Sequence, residues 1–214
     1  MNLLLIIVIF AAVLALAFAA FNFAKVKKMP EGTEQMSKIA SAIRIGANAF
    51  INYEYKVLAI VIAIVAVVMA IVTTWHAAIA LVIGSVMSGC AGMIGMKIAT
   101  YANVRVANKA RETEDIGETV KVAFRGGSVM GLSVGGFALL GLFIVYLVFG
   151  LGMGQAAVTE ATYTNLLGLS FVPFTMTLSG YALGCSIVAM FNRVGGGIYT
   201  KAADMLQRHR RKGV

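Results

Sequence analysis

The sequence predicts an all-α fold, a polytopic membrane helix bundle with about five transmembrane helices. The 214-residue chain is 60% hydrophobic and only 13% charged, whereas soluble domains average about 45–50% apolar and about 25% charged residues. The apolar residues form five runs that approach or exceed the roughly 20 residues a helix needs to cross the hydrocarbon core. The predicted spans are 3–23, 56–75, 77–100, 126–149 and 166–192.

The first span, 3–23, has the hydrophobicity of a signal peptide but not its other features. No basic residue precedes it, and its apolar run exceeds the usual length of about 7–15 residues. Its basic cluster comes after the span instead, at Lys25, Lys27 and Lys28. We therefore expect a retained membrane helix here, with a signal peptide as the alternative.

A second helix is predicted ahead of the span 56–75. In 33–52, apolar residues recur at spacings of three and four, which is typical of an amphipathic helix. Gly32 and Thr33, after Pro30, mark its start. Such a helix either lies on the membrane surface as a coupling element or packs on the bundle. The apolar positions are Met36, Ile39, Ala40, Ile43, Ala47, Phe50 and Ile51.

The third span is predicted to continue into a polar segment, 101–124, before the chain returns to the membrane. Acidic and basic residues alternate there, so the segment forms either a metal site or a solvated helix face. The acidic residues are Glu112, Glu114, Asp115 and Glu118, and the basic ones are Lys109, Arg111 and Lys121.

Small residues spaced four apart within the spans predict close contacts between helices, because lipid offers no hydrophobic drive for helix association. Cys90 and Cys185 both lie in apolar runs, which indicates a packing role. The small-residue steps are Gly127–Gly131–Gly135, Ser88–Gly92, Ala91–Gly95 and Gly180–Gly184.

The net charge of +9 follows the membrane topology. Lys and Arg separate the apolar runs and form no aromatic-interleaved groove, which argues against nucleic acid as a partner and for the lipid bilayer. Neither 73–77 nor 150–165 contains a Lys or Arg. Under the positive-inside rule these turns lie outside the cell. The sequence therefore predicts an outside N-terminus and a cytoplasmic C-terminus.

The segment "FNRVGGGIYTKAADM", 191–205, carries charged residues directly after the fifth span. On a continuous helix, Arg193 and Asp204 are about 20° apart around the axis and Lys201 is about 80° from Arg193. A lysine and a carboxylate on one face suit a phosphate bound through a divalent cation. The alternative is a basic cytoplasmic anchor with an incidental aspartate.

This segment closely resembles the end of the fifth helix of membrane-bound, ion-pumping pyrophosphatases. Three other stretches match the same family in the same order, and the resemblance covers most of the chain up to about Asp204. They are "GTEQMSKIASAIRIGANAFINYEYK" (32–56), "GMKIATYANVRVANKARE" (95–112) and "AFRGGSVMGLSVGG" (123–136).

The resemblance implies roles for three residues. Lys201 and Asp204 would bind magnesium pyrophosphate, with Asp204 acting through Mg²⁺, and Arg193 would lie in the ion-coupling region of the pore. It also implies a multi-pass protein of the prokaryotic inner membrane. Such a pump hydrolyses pyrophosphate on the cytoplasmic side, drives H⁺ or Na⁺ outward and works as a homodimer.

After Asp204 the chain reads "MLQRHRRKGV", which does not match the family. We therefore expect 1–204 to be the amino-terminal transmembrane part of such a pump and 205–214 a basic cytoplasmic tail. The family's further Mg²⁺-binding carboxylates are missing, so no complete catalytic set is expected. The chain would be inactive unless a complementary C-terminal chain joins it. The alternative is a non-enzymatic five-helix scaffold or assembly subunit.

Overall fold

The structure, a computed structural model, describes residues 3–156, 164–166 and 169–211, with side chains described for 3–156 and 172–201. The described elements are five long helices and one short antiparallel hairpin, which confirms the all-α class. In chain order they are α1 (Leu3–Lys27), α2 (Glu34–Val72), α3 (Trp75–Thr113), α4 (Ile116–Val145, continued by a π-helical segment Tyr146–Gly152), β1 (Thr164–Leu166), β2 (Leu169–Phe171) and α5 (Pro173–Arg211).

Each of the five helices contains a stretch long and apolar enough to cross a membrane. The fifth begins at Pro173, later than the predicted start near 166. Residues 169–171 form a strand instead. Proline at the first helical position explains the boundary, because its missing N–H would have no partner there and its φ already suits a helix.

The amphipathic segment and the second span form one unbroken helix, α2. It begins where the sequence predicted, since the hydroxyl of Thr33 accepts a hydrogen bond from the Met36 N–H at 3.3 Å. No Gly or Pro separates the two parts between residues 52 and 56, so nothing interrupts the backbone hydrogen bonds. One rigid rod thus connects the polar end of the bundle to the membrane.

The predicted extension of the third span is also helical, because α3 runs to Thr113. A tight turn follows, in which Glu114 has a positive φ of 50° and the carboxylate of Asp115 accepts from the Gly117 N–H at 2.8 Å. The acidic residues of this region are engaged locally. Glu118 pairs with Lys121 at 2.6 Å and Glu112 accepts from Asn108 at 2.9 Å.

The bundle is built around α3, which packs against α2, α4 and α5, while α1 packs on α4. The closest approach is between α3 and α5. A Cβ at Gly180 would contact the Ala77 carbonyl, and one at Gly184 would contact the Leu81 carbonyl. The predicted step Gly180–Gly184 is therefore confirmed as a close helix contact.

The predicted glycine step on α4 is wrong as a packing surface. A Cβ added at Gly127, Gly131 or Gly135 would meet nothing within 4 Å among the described residues. Close contacts occur at other glycines of α4. Gly126 lies against Ala102 of α3, and Gly136 lies against Leu16 of α1. Spacing indicates that a small face exists, but the rotation of the helix in the bundle decides which face is covered.

A buried ion-pair network closes the polar end of the bundle. Glu31, in the α1–α2 loop, accepts two hydrogen bonds from Arg44, at 2.7 and 3.1 Å, and pairs with Arg105 at 3.1 Å. Arg105 also donates to the carbonyls of Lys27 at 2.8 Å and Met29 at 2.9 Å. The network ties the end of α1 and its loop to α2 and α3.

Glu31→Gln is expected to remove part of the acid sensitivity of folding. The hydrogen bond from Arg44 lowers the pKa of Glu31 from 4.5 to about 2. A carboxyl whose pKa is lowered on folding stabilises the fold fully above its unfolded pKa and loses that contribution as the pH falls. The melting temperature should therefore drop between pH 4.5 and about 2, and drop less in the variant.

Thermal unfolding in detergent across this pH range is the measurement. Glu34→Gln is the matched control, because Glu34 is 84% exposed and pairs only with Lys38 on the surface. The control should keep the acid dependence of the parent chain. Equal acid dependence in Glu31→Gln and the parent would contradict the assignment.

Candidate functional site

The candidate site lies on α5, where the predicted residues follow one another along an unbroken helix. The glycines at 195–197 are helical, and α5 continues to Arg211. Arg193 and Lys201 are exposed, about 12 Å apart along the axis and about 80° apart around it. Asp204 belongs to the same helix, but its side chain lies outside the described residues.

The glycine run lets α2 approach α5 closely. A Cβ at Gly195 would contact the carboxylate of Glu54, with the carboxyl carbon at 2.7 Å. Oε1 of Glu54 is buried and makes no hydrogen bond to any described residue. The structure therefore brings a carboxylate between the levels of Arg193 and Lys201. The sequence analysis missed Glu54, and its only signal was an acidic residue directly before an apolar run.

Two further contacts hold α5 against the amphipathic part of α2. The hydroxyl of Tyr199 donates to the Ile43 carbonyl at 3.2 Å, and the rings of Tyr199 and Phe50 lie 5.9 Å apart. Of the two readings left open for 33–52, packing on the bundle is the one that these contacts support. They also orient the helical turn that leads to Lys201.

Arg193 opens into a cavity of about 550 Å³ between α3, α4 and α5. Small and apolar side chains form most of its wall. Asn192, beside Arg193, lies against α3, where a Cβ at Gly92 would be 3.1 Å from the Asn192 side-chain carbon. Within the described part of the chain Arg193 has no ion-pair partner. Its guanidinium is therefore a positive group beside a space between helices.

The side chain of Lys201 is exposed, and it forms no ion pair with any described carboxylate. Its ammonium group can therefore bind an anion without first breaking an ion pair. A lysine ammonium acts as a point charge toward phosphate oxygens. This end of α5 offers positive charge at two levels, one beside a cavity between helices and one beyond the last span.

Comparisons with known proteins agree on one family. A profile described as inorganic H⁺ pyrophosphatase matches residues 13–206. The chain is 61% identical over 191 residues to the K(+)-stimulated pyrophosphate-energized sodium pump of Thermotoga maritima, a match that covers 89% of this chain and 26% of that protein.

Two more relatives carry proton-pump names. Identity is 39% over 194 residues to the K(+)-insensitive pyrophosphate-energized proton pump 2 of Moorella thermoacetica, covering 90% of this chain and 26% of that protein. It is 34% over 197 residues to the K(+)-insensitive pyrophosphate-energized proton pump of Methanosarcina mazei, covering 91% and 26%. The chain thus spans about a quarter of the length of these curated relatives.

Proposed function

This chain belongs to the inorganic H⁺ pyrophosphatase family, and we propose that it forms the amino-terminal helices of a pump that couples pyrophosphate hydrolysis to outward movement of Na⁺ or H⁺. The observation that carries the proposal is α5, an unbroken helix on which Arg193 and Lys201 extend from a cavity between helices to the polar end of the bundle. Relatives named as sodium and proton pumps support either ion.

Lys201 and Asp204 bind magnesium pyrophosphate in this proposal. The exposed ammonium of Lys201 suits a phosphate oxygen, and Asp204 supplies an oxygen ligand three residues later on the same helix. Mg²⁺ commonly uses one or two carboxylates together with water and substrate phosphates, so this donor set fits as one part of a larger site. Bound Mg²⁺ would neutralise charge on the transferred phosphoryl group.

Arg193 acts in ion coupling in this proposal. An arginine beside a space between membrane helices is costly unless a function retains it. Its position repels a cation in the cavity unless a carboxylate approaches. Movement of α5 on pyrophosphate binding would change that balance, because Lys201 and Arg193 belong to one rigid helix.

The surrounding assembly is also proposed. The protein is an integral, multi-pass membrane protein, with its basic loops and C-terminus cytoplasmic and its N-terminus outside, in the inner membrane of a prokaryotic cell. Carboxylates that complete the metal site come from a further part of the pump, in the same chain or in a complementary one, and the working unit is a homodimer.

Lys201→Ala is expected to reduce Mg²⁺-dependent pyrophosphate hydrolysis by roughly 10- to 100-fold, because a hydrogen bond to a charged group contributes about 1.5–3 kcal/mol. The assay uses this chain produced together with the complementary carboxyl-terminal portion of the Thermotoga maritima relative. Lys38→Ala is the matched control, since Lys38 is exposed and pairs only with Glu34.

Undiminished hydrolysis in Lys201→Ala would show that the site assignment is wrong. A second readout tests binding by this chain alone. A ligand that binds only the folded state raises the melting temperature. Hydrolysis that the complementary portion never restores, together with no thermal shift at saturating magnesium pyrophosphate, would favour a scaffold function instead.

A further inference from the structure

A second cavity lies among α1, α2 and α3, near the polar end of the bundle, with a volume of about 640 Å³. Three basic side chains line it, one from each helix: Lys27, Arg44 and Lys97. Arg44 is already paired with Glu31. Lys27 and Lys97 form no ion pair with any described carboxylate. The cavity thus presents two uncompensated positive charges on facing helices.

The wall of the cavity changes from basic to apolar along the helix axes. Phe23 lies one turn before Lys27 on α1, and Met93 lies one turn before Lys97 on α3, and both line the same cavity. One helical turn is about 5.4 Å. Each free lysine therefore lies above an apolar side chain on the side toward the membrane span. A ligand that fits needs an anionic head and an apolar tail.

This cavity is separate from the proposed pyrophosphate site. The face of α2 that contacts α5 carries Ile43 and Phe50, whereas the face toward the cavity carries Arg44 and Asn48. Successive residues differ by about 100° around a helix, so Ile43 and Arg44 point to different neighbours. Lipid binding here does not depend on pyrophosphate chemistry at Lys201.

We propose that the cavity among α1, α2 and α3 binds the phosphate headgroup of an anionic phospholipid between Lys27 and Lys97, with its acyl chains along Phe23 and Met93. The charge is complementary, and the cavity lies where the first and third spans end. Basic pockets between membrane helices on the cytoplasmic side suit anionic headgroups in this way. The bound lipid would link α1 to α3 beside the Glu31 network.

The test compares phosphatidylglycerol with phosphatidylcholine of the same acyl chains. Each is titrated into the full 214-residue chain in a non-ionic detergent, and binding is followed by native mass spectrometry and by melting temperature. The parent chain should bind phosphatidylglycerol at least about tenfold more tightly. Lys27→Gln with Lys97→Gln should weaken that affinity by about tenfold or more, since each basic residue near the headgroups contributes appreciably.

Two controls sharpen the result. Lys25→Gln with Lys56→Gln removes the same charge from exposed lysines outside the cavity and should leave the affinity unchanged. Lys27→Arg with Lys97→Arg keeps the charge and should retain the preference, which separates loss of binding from misfolding. Inorganic phosphate at matched ionic strength should neither stabilise the chain nor displace the lipid.

Three outcomes would overturn the proposal. Equal affinity for the two lipids would mean that the cavity does not select an anionic head. Equal weakening by both Gln pairs would mean that general surface charge attracts the lipid. Stabilisation by inorganic phosphate that matches the effect of phosphatidylglycerol would mean that the ligand is a soluble anion.

Discussion

Replacing Gly184 with alanine is expected to destabilise the bundle by about 2–3 kcal/mol or more, which is the upper range for overpacking a tight interior. The new Cβ would contact the carbonyl oxygen of Leu81, with the carbonyl carbon at 2.9 Å. This neighbour is backbone, so it cannot rotate away as a side chain could. Relief requires α3 and α5 to separate, which also weakens the contact at Gly180.

Gly131→Ala is the matched control, because a Cβ there meets nothing within 4 Å among the described residues. Alanine favours a helix over glycine by about 0.8–1.0 kcal/mol, so this variant should be neutral or slightly more stable. Thermal unfolding in detergent, followed by circular dichroism, measures both. Equal melting temperatures for the two variants would contradict the close α3–α5 contact.

Arg105→Ala is expected to cost about 3–5 kcal/mol, as when one partner of a buried ion pair is removed. The side chain is 5% exposed and pairs with Glu31. It donates to the carbonyls of Lys27, Met29 and Tyr101 at 2.8–2.9 Å. Alanine would leave these acceptors without their donor and would release the α1–α2 loop from α3.

Arg105→Lys separates charge from geometry. Lysine keeps the charge, but it lacks the planar fork that reaches several acceptors at once, so most of the loss should remain. Lys38→Ala is the surface control, since an exposed pair contributes about 0–1 kcal/mol. Denaturant unfolding gives the comparison. An Arg105→Lys variant as stable as the parent would show that charge alone holds the loop.

The sequence predicted the helices well because membrane spans depend on local properties. Hydrophobic length identifies each span without knowledge of its neighbours. The same holds for the start of α2, since the cap at Thr33 satisfies an N–H three residues away. The start of the fifth span was less accurate, because the apolar run near 166 continues through a hairpin before Pro173.

The candidate site was predictable only where its residues share one helix. Arg193, Lys201 and Asp204 are close in sequence, and a continuous α5 is enough to relate them. Glu54 was not predictable, because it reaches Gly195 across the α2–α5 contact. Side-chain geometry at Lys201 and Arg193 supports the roles proposed for them, which stay predictions until the hydrolysis assay is done.

The sequence by itself determined the membrane class, the number of spans and the continuity of the polar extensions. These follow from composition and from periodicities within single segments. Only the tertiary structure decided which glycines on α4 meet a neighbour, where Arg105 finds its acceptors, and that Lys27 and Lys97 line one cavity. The physical reason is that helix rotation and pairing arise from contacts between distant segments, which no local pattern encodes.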